Sequence, residues 1–75
     1  MSPGTVVRLK RDVERFPDFI ARAGVTGVVV RVDPDAIAVR LFMWLRGAEE
    51  WGNEVQWYRS SPSLGDASDD LEVMT

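Results

Sequence analysis

The sequence predicts a small all-β domain of five short strands, closed or nearly closed into a barrel. Three observations predict it. A valine-rich hairpin occupies residues 25–43 around a Pro34-Asp35 turn. Alternating apolar and polar stretches lie on either side of it, at residues 5–10 and 54–59, and a short apolar island stands at residues 71–74. The one segment with helical periodicity, residues 11–24, has Pro17 in its middle, and proline breaks a helix there.

The elements follow in order. Residues 5–10 (TVVRLK) read as a strand with Val7 and Leu9 on one side and Val6, Arg8 and Lys10 on the other. Residues 11–24 (RDVERFPDFIARAG) are expected to form a long, partly ordered loop, with Phe16, Phe19 and Ile20 folding back as apolar anchors. Residues 25–33 (VTGVVVRVD) are the clearest strand. Gly24 and Gly27 bracket its start, where glycine marks a bulge or a positive φ. Pro34 pre-sets the turn, and residues 36–43 (AIAVRLFM) return. Pairing Asp33 with Ala36 sets Val32 against Ile37, Val30 against Val39 and Val28 against Leu41, an apolar register that a one-residue slip would ruin. Gly47 and Gly52-Asn53 mark a connection. Residues 54–59 (EVQWYR) form the fourth strand, with Trp57 facing the core beside Val55, and Tyr58 facing outward. Residues 60–70 (SSPSLGDASDD) read as a flexible acidic loop or linker, and residues 71–74 (LEVM) as a last edge strand.

Seventy-five residues make one domain, residues 1–75. A chain of this size buries only about 60–65% of its unfolded surface, so its core must be regular. There is no cysteine and no histidine, which excludes a disulfide staple and leaves no soft ligand for zinc. The N-terminal residues lack the pattern of a signal peptide, and no apolar run reaches the roughly 18 residues of a membrane span. A cytoplasmic protein without membrane contact is expected. The net charge of −3 is unevenly spread: residues 1–46 carry +3 and residues 47–75 carry −6. Eight of the nine basic residues are arginines, which favours planar, two-point recognition of acids.

This order resembles an SH3-like five-stranded barrel with a long first loop. The opening PGTVVRLKRD carries the resemblance, as does GVTGVVVRVDPDAIAVRL, which resembles the glycine-marked hairpin of KOW-type domains. NEVQWY followed by LEVM is similar to the closing strands of electron-transport accessory proteins. RDVERFPDFIARAG with GAEEWGNEVQWY looks like small uncharacterised SH3-like proteins of bacteria and phages. The resemblance implies a fold and a binding role without a cofactor. It implies no catalytic residue, because SH3-like barrels serve unrelated functions.

The residues themselves suggest no active site. Without histidine or cysteine the commonest bases and nucleophiles are missing. The carboxylate pairs Asp12/Glu14, Asp33/Asp35, Glu49/Glu50 and Asp69/Asp70 lack the spacing of a calcium loop and read as turn chemistry. Arg8, Arg31 and Arg40 fall on one outward face with Phe42, a footprint for an acidic protein or a nucleic acid. The bland reading pairs those arginines with Glu49, Glu50, Glu54 or tail acids. Trp44, Trp51 and Tyr58 complete the candidate contact surface, the two tryptophans being either lids on the core or partner contacts. The acidic segment at residues 65–70 is either a plain linker or a shield over the basic face. The expectation is therefore a non-catalytic accessory or regulatory subunit, a monomer or weak homodimer, that binds a protein. The alternatives are a KOW-like nucleic-acid or transcription- or ribosome-associated module, and the accessory barrel of a larger enzyme complex.

Overall fold

Alternation of apolar and polar side chains organises the chain into strands. The computed structural model describes residues 2–15, 19–48, 52–58 and 67–74. In chain order these form β1 (Val6–Leu9), β2 (Val13–Arg15), β3 (Phe19–Ala21), β4 (Thr26–Asp33), β5 (Ala36–Leu41), β6 (Glu54–Tyr58), the single helical turn α1 (Ala67–Asp70) and β7 (Leu71–Val73). Five strands make one antiparallel sheet in the order β6-β5-β4-β1-β7, and β2 and β3 pair as a separate hairpin. The small all-β class read from the sequence is present.

One face of the sheet is the core. Val7 and Leu9 of β1, Val29 of β4, Val39 and Leu41 of β5, Val55 and Trp57 of β6 and Leu71 of β7 bury there. Val7, Val29, Val39 and Val55 are wholly enclosed. Each contributes about 1.5–3 kcal/mol by leaving water. Trp57 supplies bulk that the valines lack, and it lies inward beside Val55 as the alternation in EVQWY predicts.

The long first connection departs from expectation. Within the expected loop of residues 11–24, Val13–Arg15 and Phe19–Ala21 are instead paired antiparallel strands. Alternation then selects Val13, Phe19 and Ala21 for the core and turns Ile20 outward, so Ile20 is not an anchor. Phe16 lies outside the described residues. Strands of three residues are too short for a periodicity to announce them.

The hairpin of β4 and β5 also corrects the expected register. Asp33 faces Ala36 and Val32 faces Ile37 as predicted, but Arg31 then faces Ala38 and Val29 faces Val39, leaving Val30 in a bulge. Beyond the bulge Val28 meets Arg40 and Gly27 meets Leu41. A slip was expected to be ruinous, yet Val28, Val29 and Val30 are the same residue, so either neighbour can serve the core. Gly24 has the positive φ expected of it, at 94°. Gly27 has neither a positive φ nor the bulge. A Cβ there would stand 2.6 Å from the Arg40 carbonyl oxygen and 2.9 Å from Val39 Cγ1, so glycine permits β4 to approach β5 closely.

The C-terminal region holds a further correction. Asp70, placed by the sequence in a solvated linker, is 3% exposed. Its Oδ2 accepts the Trp57 indole Nε1–H at 2.7 Å, its Oδ1 accepts from Arg11 Nε, and its carbonyl accepts the Lys10 N–H at 2.7 Å. The hydrogen bond and charge of Asp70 hold the Arg11 guanidinium above its usual pKa. The edge strands of a flat five-stranded sheet lie roughly 19 Å apart. Trp57 sits on the edge strand β6 and Asp70 ends the helical turn that leads into the edge strand β7, so this side-chain bond requires the sheet to be curved rather than flat. Residues 67–70 of the predicted linker form α1, and residues 60–66 lie outside the described residues.

Candidate functional site

The candidate site is the connection from β5 to β6, and Asn53 builds its frame. Asn53 has a φ of 62° and is buried. Its side chain closes three hydrogen bonds across the loop: Nδ2 donates to the carbonyls of Leu41 at 2.9 Å and Met43 at 2.8 Å, and Oδ1 accepts the Leu45 N–H at 3.0 Å. Its backbone adds two more, accepting the Leu41 N–H at 3.1 Å and donating to the Ala48 carbonyl at 3.0 Å. Asparagine suits this position because it tolerates a left-handed backbone and offers both donors and acceptor.

A tight turn completes the frame. The Ala48 N–H donates to the Leu45 carbonyl at 3.1 Å, and Gly47 between them has a φ of 93°. That geometry is a type II turn with Arg46 at its first corner and glycine where positive φ is required. Leu45 packs against the core and Ala48 is wholly buried, so these small anchors hold the loop down.

The large side chains do the opposite. Phe42, Met43 and Trp44 are consecutive and are 61%, 57% and 67% exposed. β5 ends at Leu41, and Phe42 leaves the sheet with a last hydrogen bond from its N–H to the Thr26 carbonyl at 3.0 Å. Of the two readings open for Trp44, the lid is not realised: the indole stands in solvent. Trp51 lies outside the described residues, as do Glu49 and Glu50. Tyr58 is exposed at the far end of β6, where its hydroxyl meets Gln56 Oε1.

The arginine face is assembled but internally neutralised. The ladders place Arg8 opposite Thr26, Arg40 opposite Val28 and Arg31 opposite Ala38, all on the side away from the core. Arg8 is also opposite Glu72 on β7, and its Nη2 reaches both carboxylate oxygens at 2.9 and 3.0 Å. Arg40 is opposite Glu54 on β6, with 3.7 Å between charges, and Arg31 donates to Asp33 two residues on at 3.0 Å. Glu54 and the tail acid Glu72 are therefore the intramolecular partners that the bland reading anticipated.

Sequence reasoning missed Met43, Arg46 and Asn53. The signal was present in FMWLRG, where an apolar run outlasts the alternation of its strand and ends in a turn glycine. Nothing in the sequence says that Leu45, rather than its larger neighbours, turns inward. Among the described residues no three carboxylates gather where a cation could sit. No known protein family, curated protein or solved structure matches the chain.

Proposed function

We propose that this chain is a non-catalytic protein-binding module, an accessory or regulatory subunit built on an SH3-like barrel. The reading of the fold is supported by the strand order, by the hairpin inserted between β1 and β4, and by the bond between Trp57 and Asp70 that draws the sheet edges together. One observation carries the function: three consecutive large apolar side chains stand in water on a loop whose backbone Asn53 holds in one shape. Exposed apolar surface on an ordered loop is what a docking site requires, because little ordering entropy is lost on binding. The paired arginines favour a protein over a nucleic acid, since phosphate would have to displace Glu72, Glu54 and Asp33 from them.

The test is purification of tagged protein from its native host with mass spectrometry of what accompanies it, in wild type and in Trp44→Ala. A partner that accompanies the wild type and is lost in the variant, with the melting temperature unchanged, supports the reading. Tight binding of single-stranded RNA or duplex DNA at low salt, unaffected by Trp44→Ala, overturns it.

A further inference from the structure

Arg46 differs from the other arginines whose side chains are described. Arg8, Arg11, Arg22, Arg31 and Arg40 each have a carboxylate of the same molecule, in Glu72, Asp70, Asp12, Asp33 and Glu54. Arg46 has no ion pair or hydrogen bond among the described residues, and it is exposed at the corner of the turn that Gly47 permits. It is carried on the same pinned loop as Phe42, Met43 and Trp44.

We infer that the tip at residues 42–46 docks a segment of a partner protein that carries both apolar side chains and a carboxylate. Phe42, Met43 and Trp44 cover the apolar side chains, and the Arg46 guanidinium takes the carboxylate by two-point hydrogen bonding. This inference rests on the reading of the tip as a protein-binding surface and names the chemistry of its partner. Three considerations support it. The turn holds the backbone of Arg46, so less freedom is lost on pairing than for an arginine on a mobile chain. Tryptophan and arginine together are the residues that concentrate binding energy at protein interfaces, and methionine adapts to the shape of an apolar neighbour. A single cation selects an acidic side chain but is too little for a polyanion: nucleic acid and anionic bilayers are held by several cations acting together, and this chain has a net charge of −3.

The test is nitrogen-proton NMR of the full chain titrated with two sets of short synthetic peptides. Both carry leucine and phenylalanine, interleaved with glutamate in one set and with lysine in the other. Phosphatidylserine–phosphatidylcholine vesicles and a single-stranded oligonucleotide are titrated alongside. The expected result is a shift confined to residues 42–48 and the Trp44 indole with the glutamate peptides, and binding weaker by on the order of tenfold with the lysine peptides. Arg46→Glu, whose spectrum first establishes that it folds, is expected to reverse that preference. Equal binding of both peptide sets, or a preference that Arg46→Glu leaves unchanged, overturns the inference and leaves the protein-binding reading standing. Shifts at the tip with vesicles or oligonucleotide but neither peptide set, or no shift with any of them, overturn both.

Discussion

The indole N–H of Trp57 on β6 donates to the carboxylate of Asp70, one residue before β7, at 2.7 Å. The bond links the edge strand β6 to the residue that leads into the opposite edge strand β7, and both groups are buried. Among the described residues no buried side-chain nitrogen or oxygen lacks a hydrogen-bond partner, so loss of the Asp70 carboxylate disturbs a fully satisfied interior. Asp70→Ala is expected to remove the carboxylate that accepts from the indole and from Arg11, and to lower stability by about 1–3 kcal/mol. Asp70→Asn, which can still accept from the indole, should lose less. Urea unfolding at neutral pH measures both, and an alanine variant as stable as wild type would remove the bond from any role in holding the sheet edges together.

Asn53 is expected to be the residue on which the shape of the tip depends. Asn53→Gly keeps the positive φ but deletes the side-chain bonds to Leu41, Met43 and Leu45, with an expected loss of about 1–3 kcal/mol. Asn53→Ala adds the left-handed backbone strain, roughly 1–2 kcal/mol more. In both variants the amides of residues 42–45 should exchange with solvent faster than in wild type. Unchanged exchange at those amides would mean that something other than Asn53 orders the loop.

Gly27 is expected to tolerate no side chain. An added methyl meets backbone on β5, which cannot swing aside as a side-chain end can. Gly27→Ala should lower stability by about 1–3 kcal/mol, as overpacking does. Ile20→Ala, by contrast, changes an exposed position and should stay within about 0.5 kcal/mol of wild type. Thermal unfolding compares the two, and the reverse ranking would contradict the observed packing.

Acid should expose the tie between Asp12 and the turn before β4. The Ala23 N–H donates to Asp12 Oδ1 at 2.8 Å and Arg22 to Oδ2 at 3.1 Å, and these hold the carboxyl below its usual pKa, the backbone hydrogen bond first. A carboxyl lowered on folding stabilises the fold fully above its unfolded value, about 3.9, and loses that contribution as pH falls through the lower folded value. Asp12→Asn should therefore be less stable than wild type at neutral pH, and the gap should narrow below about pH 4. Denaturant midpoints across that range give the answer, and a gap that stays constant with pH would exclude the charge of Asp12 as its source.

The site was only partly legible in the sequence. Phe42 could be singled out as an aromatic on the arginine face and Trp44 as a large side chain at the strand end, but FMWLRG permits either the aromatics or the leucine to face inward. The choice depends on Asn53, eight residues beyond Leu45, whose side chain determines where the loop backbone runs. Arg8, Arg31 and Arg40 could be placed on one face by alternation. Glu54 and the tail acids could be named among their partners, but which acid meets which arginine depends on the pairing of β1 with β7 and of β5 with β6.

By itself, the sequence determined the strands whose alternation is long enough to be unambiguous, the Asp33–Ala36 turn, the inward direction of Trp57 and the lack of histidine and cysteine chemistry. These depend on local geometry, in which side chains alternate every residue and proline and glycine restrict or free the backbone. Only the tertiary structure decided the bulge at Val30, the hairpin of β2 and β3, the burial of Asp70 and the exposure of Phe42, Met43 and Trp44. Each is settled by competition for a core too small to hold every apolar residue. Three adjacent valines make two registers locally equal, so local alternation alone does not choose between them. Asp70 is buried because the buried Trp57 indole N–H and the exposed Arg11 guanidinium both donate to it, while Trp44 is left in water.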